Sequence, residues 1–238
     1  MRNNKQALAT ALLILAIGCT GCGSSGNPNA QGASSWQDDF GLDQRTLEPT
    51  GRNPFFVLEP GFQLILESAT EKLSITVLDE TREVDGVTTR VVEEREWKHG
   101  ELIEVSRNFF AIDPQTQDVF YFGEEVDMYK EGKVASHEGA WLAGKKGARA
   151  GLIMPGKLKV GLKYYQEVAP GEAMDRAEVL KLDDRLETPA GIFSNCLLTK
   201  EGSALNPFEV EFKTYAPGIG LLQDEKLLLS QYGFINKR

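Results

Sequence analysis

From Pro54 onward, apolar residues recur at every second position, in short runs broken by turn signals. Phe62, Leu64 and Leu66 alternate with Gln63, Ile65 and Glu67. Leu73, Ile75 and Val77 repeat the pattern, and Phe208, Val210 and Phe212 alternate with Glu209, Glu211 and Lys213. A period of two sends one set of side chains into a core and leaves the other in water, as in antiparallel sheets. The punctuation between runs suits hairpins: Pro60-Gly61, Asp85-Gly86, His99-Gly100, Asp113-Pro114, Glu131-Gly132, Pro170-Gly171, Pro189-Ala190-Gly191 and Pro217-Gly218. No stretch between them carries a convincing helical stripe. The best helix candidate, 172–182, fits a strand nearly as well. An alternation of strand and helix, as in nucleotide-binding folds, is absent, and so is a clean internal repeat.

This pattern predicts about ten to twelve strands in one β-rich domain over residues 54–238. A sheet of that length must curl, close on itself or split in two to manage its edges. The expected fold is therefore mainly β: a single antiparallel meander sheet, strongly curved into a half-barrel or barrel. A β-sandwich is the alternative.

The first 18 residues read as an address. Arg2 and Lys5 precede an uncharged, mostly apolar stretch from Ala7 to Ile17. At about 11 residues it suits a signal peptide and falls well short of the roughly 20 needed to span a bilayer. It ends in Leu15-Ala16-Ile17-Gly18-Cys19, which resembles the bacterial lipoprotein signal, in which the cysteine is acylated and becomes the new N-terminus. Ala16 stands where Leu is commonest. Cys22 after Gly21 is a second possible acceptor, and ordinary secretory cleavage after Gly18 or Gly32 is the remaining alternative. Residues 1–18 are thus read as a lipoprotein signal peptide and 19–53 as the lipidated Cys19 with a linker and lead-in. Residues 20–35 hold no charge and no aromatic ring, and reach roughly 20–25 Å as a flexible tether. Residues 36–53, with Trp36, Phe40 and Leu42 among acids, read as a lightly docked lead-in. No second apolar stretch is long enough to cross a membrane, so acyl chains would be the anchor. Thr20 lacks the inner-membrane retention signal that Asp provides at this place in enteric lipoproteins, which favours the outer membrane facing the periplasm.

Charge and composition narrow the function. The chain has 26 Lys+Arg against 35 Asp+Glu, and removal of Arg2 and Lys5 lowers the cations to 24, a net charge of −11. Nucleic-acid binding needs a basic surplus that is missing. Two His and three Cys cannot build a multi-histidine metal centre or a dense disulfide framework. No metal or cofactor is expected.

Few residues suggest chemistry. His137 follows Ser136, but no G-x-S-x-G elbow exists to orient a nucleophile. His99 sits in a turn. Cys196 shares a strand face with Ile192 and Leu198 and reads as a small buried hydrophobe, with no basic neighbour to activate it. Pairing with Cys22 is possible in principle only. The acidic groups Glu93-Glu94-Glu96, Glu124-Glu125-Asp127 and Asp183-Asp184 match no calcium loop and read as solvated strand faces. Residues 144–151, Gly-Lys-Lys-Gly-Ala-Arg-Ala-Gly, are the one basic, glycine-rich stretch. Trp141 precedes it and apolar Leu152 to Pro155 follow. Beside a barrel mouth this would make a ligand gate, with Trp141 and Arg149 as the binding candidates; it also reads as an ordinary solvated connection. Phe109-Phe110, Phe120-Tyr121-Phe122 and Tyr164-Tyr165 put rings on both faces of their strands, so both faces need cover.

The block Thr188-Pro189-Ala190-Gly191-Ile192-Phe193-Ser194-Asn195-Cys196, followed by Tyr215-Ala216-Pro217-Gly218-Ile219-Gly220-Leu221, resembles a family of uncharacterised secreted and lipid-anchored β-rich bacterial envelope proteins. Their pattern is "TPAGxFxxC" opening one strand and "YAPGIGL" ending the next. Phe55 to Gly61 is similar to their opening hairpin, departing at Leu66, where an aromatic is common. Met154-Pro155-Gly156 and Tyr164 to Glu167 extend the likeness over most of 54–229. The resemblance implies an envelope location and a curved antiparallel sheet, and no activity.

The reading that follows is a non-catalytic, lipid-anchored envelope protein that binds an apolar or amphiphilic ligand. The alternative is a structural protein that docks another envelope component.

Overall fold

The computed structural model describes residues 35–208 and 210–235. The segment read as a signal peptide, Cys19 and Cys22 lie outside the described residues. An extended lead-in, 35–50, precedes a small hairpin of β1 (Gly51–Asn53) and β2 (Phe56–Leu58). The main sheet begins with β3 (Phe62–Glu67), β4 (Glu71–Val84), β5 (Val87–Lys98), β6 (Glu101–Ile112) and β7 (Val119–Lys130). Three short strands follow, β8 (Lys133–Ser136), β9 (Trp141–Leu142) and β10 (Arg149–Met154), and all three pair with β7. Then come β11 (Lys163–Tyr165), β12 (Glu167–Val168), β13 (Asp175–Thr188), β14 (Gly191–Ser203), β15 (Glu211–Ala216), β16 (Gly220–Asp224) and β17 (Leu227–Phe234). The stretch offered as a helix candidate, 172–182, runs into β13.

Local sequence explains the hairpins. At Asp85-Gly86, His99-Gly100 and Glu131-Gly132 both residues have positive φ. That is the two-residue turn whose twist matches the strands it joins. It links β4 to β5, β5 to β6 and β7 to β8.

Every strand pair is antiparallel, and the main sheet of fifteen strands follows one path, with β8 and β9 beside it on β7: β11-β13-β14-β15-β16-β17-β3-β4-β5-β6-β7-β10-β12. The last strand, β17, pairs with the first, β3, from Leu228↔Glu67 to Phe234↔Phe62. The two ends of the path, β11 and β12, are consecutive in the chain. Residues 163–165 pair with β13, residues 167–168 pair with β10, and the Gln166 amide donates to the Asp175 carbonyl at 2.7 Å. One short stave thus bonds to both edges, and the sheet is a nearly closed barrel rather than a sandwich. This removes almost all free edge.

Close approach at the seam needs Gly151. A Cβ there would lie 2.2 Å from the Gln166 carbonyl oxygen. Any other residue would push the stave off β10.

The β1–β2 hairpin closes one end. The Gly218 amide donates to the Pro54 carbonyl at 2.7 Å, and Phe56 packs edge-on against Phe110 at 5.2 Å. These partners sit on opposite walls, so the hairpin crosses the barrel end. Asn53, buried, pins it: its Nδ2 donates to the carbonyls of Gln117 (2.7 Å) and Pro155 (3.1 Å), and its Oδ1 accepts from the Phe55 amide (2.7 Å).

The lead-in supplies the outer cover that the aromatic clusters require. Phe110 and Tyr121 face inward and stack at 4.7 Å. Phe120 faces outward and is covered by Phe40 at 6.1 Å and by the Arg45 guanidinium at 5.0 Å. Tyr165 is covered by Trp36. Arg45 also reaches Asp113 (2.8 Å) and Asp118 (2.9 Å). The lead-in is therefore locked down, with Phe40 buried, rather than lightly docked.

Candidate functional site

The barrel encloses a cavity whose two walls differ. Register shows how. One rung runs Leu64–Ile75–Glu94–Ser106 across β3, β4, β5 and β6; the next runs Leu66–Leu73–Glu96–Glu104. Each rung is apolar on β3 and β4 and polar on β5 and β6. The apolar part, about 150 Å³, is lined by Phe56, Phe62, Leu64, Leu73, Ile75 and Val77 among others. The polar part, about 220 Å³, is lined by Glu94, Glu104, Glu124, Glu167, Asp175 and Glu201, with Ser106, Asn108 and Gln166. Glu94, Phe110, Ile153, Gln166, Glu201 and Lys213 line both, so the two are continuous. Along β5, Glu94 and Glu96 succeed Val92 toward the His99-Gly100 turn; the hairpin-capped end is the apolar one.

Lys213 is the only Lys or Arg among the described residues lining this cavity. Its Nζ lies 3.2 Å from Asp224 and 3.9 Å from both Glu201 and Glu211. Burial alone would lower its pKa, but these carboxylates outweigh that and hold the ammonium charged above its ordinary range. Glu201 is fully engaged: it accepts from Thr199 (2.7 Å), Tyr215 (3.0 Å) and Gln166 (3.2 Å).

Other acids lack such support. Burial, reinforced by Glu96, Glu124 and Asp224 and only partly offset by Lys213, pushes Glu94 up to about 8. Burial, with Glu104 and Asp224, pushes Glu96 up to about 7. Burial, with Asp175 and Glu124, pushes Glu167 well above the carboxylate range. These side chains face a cavity, so they keep some accessible surface while protein surrounds them on every side.

Two buried donors near the cavity meet no acceptor in good hydrogen-bond geometry among the described residues. The Tyr164 side chain is fully buried, with its hydroxyl in the field of Glu201 and beside Tyr215. The Trp141 indole N–H is buried beside the Glu167 carboxyl, close enough to favour that group's charged form.

The two sequence candidates part company. Trp141 packs edge-on against Tyr121 at 5.4 Å and borders the chamber at Glu124 and Glu167. Arg149 points outward, exposed, and pairs with Asp38 at 3.3 Å. The 144–151 segment covers an outer depression of about 240 Å³ shared by Lys145, Lys146 and Glu172. Of its apolar sequel, Ile153 and Met154 reach the cavity.

His137 is exposed on the β8 edge, bonded to Asp127 and the Val126 carbonyl. Cys196 is a buried free thiol whose pKa burial raises.

Two expectations are overturned. Glu94, Glu96 and Glu124 were read as a solvated face and line or adjoin the interior instead; on the outer face Glu93 is largely covered by Arg95 and Arg107, and Glu125 is exposed and paired with Arg82. On β15 the alternation is inverted. Phe212 is half exposed and Phe208 is 94% exposed, while Lys213 faces inward. Three carboxylates and Tyr215 at that level of the interior make a cation the better neighbour, and a one-residue parity choice carries the whole strand with it.

No group of three or more acidic, His or Cys side chains among the described residues is placed to hold a metal ion. No protein-family model, curated protein or solved structure matches the chain.

Proposed function

We propose that this chain is a non-catalytic binding module of the bacterial envelope that holds an amphiphilic ligand inside its barrel. One observation carries the reading: a single continuous cavity, apolar along β3 and β4 and polar along β5, β6 and the seam. Small barrels that are built only for stability fill their interiors with interlocking side chains. Here carboxylates and amides line space instead, at a desolvation cost that a bound molecule would offset. Lipidation at Cys19 would tether the module, and its acidic body would stand off anionic headgroups. The test is native mass spectrometry of the mature chain with Cys19→Ser, exported to a bacterial periplasm and purified without detergent. A reproducible mass above the bare chain, released on denaturation, is the expected result. A bare mass at every charge state, with no binding of added amphiphiles, would count against it.

A second reading has its own support. Leu205, Phe208, Val210 and Phe212 form an exposed apolar group at one corner of the barrel. Such a patch suits docking to another envelope component. Crosslinking in intact cells, compared with Phe208→Ser, tests it.

A further inference from the structure

Resting on the binding-module reading, we infer that the ligand is a cationic amphiphile: an ammonium or similar organic cation seated among the chamber carboxylates, with its apolar body along the β3–β4 wall.

Glu94, Glu104, Glu124, Glu167, Asp175 and Glu201 line the polar part from β5, β6, β7, β12, β13 and β14. Against them stands Lys213, and its charge is already consumed by Asp224, Glu201 and Glu211. Glu94 and Glu167 have neither a basic partner nor a network of donors like the one that holds Glu201. Burial makes Glu94 and Glu167 hold their protons; a cationic head supplies the counter-charge against which they ionise, whereas an anionic head finds Lys213 already paired. The carboxylates are spread around the wall rather than converged on a point, and no metal-type cluster forms among the described residues. That geometry suits a diffuse organic cation with an attached chain.

The Tyr164 hydroxyl gives independent support. It is fully buried, lies beside the chamber carboxylate Glu201 and has no hydrogen-bond partner among the described residues. Buried donors in folded proteins find a partner with few exceptions. A phenolic oxygen accepts as well as donates, so an ammonium seated beside Glu201 would give the Tyr164 hydroxyl the partner it lacks.

The apolar wall sets the other half of the ligand. β3 and β4 present only aliphatic and aromatic side chains to the cavity, and the β1–β2 hairpin seals that end with Phe56. A short alkyl or aryl body fits there, with its head directed to the turn end.

The experiment compares three probes of equal chain length by isothermal titration calorimetry on the mature chain at about pH 8.5, where Glu94 is largely ionised and octylammonium still charged: octylammonium, octanol and octanoate. Octylammonium is expected to bind at least about 100-fold more tightly than octanoate and about 10-fold more tightly than octanol. Glu167→Gln and, separately, Glu94→Gln should cut the preference for octylammonium over octanol about 10-fold, with folding checked by circular dichroism. If one variant fails to fold, the other carries the test. Octanoate binding as tightly as octylammonium overturns the cationic assignment and leaves the binding module standing. Binding by none of the three overturns both.

Discussion

Replacing Glu94 by Gln should stabilise the protein at high pH and change little at low pH. Glu94 sits mid-barrel between Ile75 and Ser106. Facing it are Glu96 on its own strand, Glu124 on β7, Glu201 on β14, Lys213 on β15 and Asp224 on β16. Its pKa is pushed up to about 8 against an ordinary 4.5. Between those values the folded chain keeps a proton that the unfolded chain has released. The unfolded state then binds fewer protons, so stability falls as pH rises, by about 1.4 kcal/mol per pH unit for each proton retained. The full span would amount to roughly 4–5 kcal/mol as an upper bound. Water in the cavity screens the charge, so about 2–3 kcal/mol is a better expectation. For a chain of this size that is a Tm difference of about 5–10 °C at pH 8. Thermal melts of both proteins from pH 5 to pH 9 are the assay. The curves should converge near pH 5 and diverge steadily above it. Some slope should remain in the variant, because Glu96 still titrates near 7. Parallel curves, or a variant less stable at pH 8, would refute the placement of Glu94 as a buried, unpaired acid.

Asn53→Ala removes the donor that pins the β1–β2 hairpin and leaves the Gln117 and Pro155 carbonyls short of a partner; a loss of about 2–3 kcal/mol in denaturant unfolding is expected. Gly151→Ala drives a methyl into the Gln166 carbonyl, so hydrogen exchange should rise across 163–168, and unchanged protection there would contradict the seam as described. Tyr164→Phe deletes a buried hydroxyl that bonds nothing, and stability should stay level or rise by about 1 kcal/mol. A clear loss on that substitution would mean that the hydroxyl is hydrogen-bonded in solution.

The fold was legible because its signals are local. Turn dipeptides set the hairpins one by one, and period-two runs between them left only antiparallel pairing. The paired rings of Phe109-Phe110 and Tyr164-Tyr165 announced that both faces were covered. What they could not say is that residues 36–48 would provide the outer cover, since that depends on where the curled sheet brings Phe120 and Tyr165.

The chamber was hidden for a physical reason. A strand with alternate carboxylates has the same period whether those carboxylates face water outside a sheet or a cavity inside a barrel. In β5, Val91 and Val92 are both buried, so neither parity of the strand is marked as the outer one, and Glu94 and Glu96 inherit the inward direction from Val92. On β15, Phe212 and Lys213 compete for the interior, and a local hydrophobicity rule chooses Phe212. The choice is made instead by partners far away in sequence: Glu201 on β14 and Asp224 on β16 stand ready to pair with an ammonium. Once Lys213 is inside, Phe212 must be outside, whatever its own preference for burial. An exposed phenylalanine on a neighbouring strand position is therefore the outward trace of an interior built for charge. The same reasoning gives a sequence test for related barrels. Where an apolar residue at such a position is replaced by a polar one while the inward Lys and acids are kept, the polar chamber is the feature under constraint.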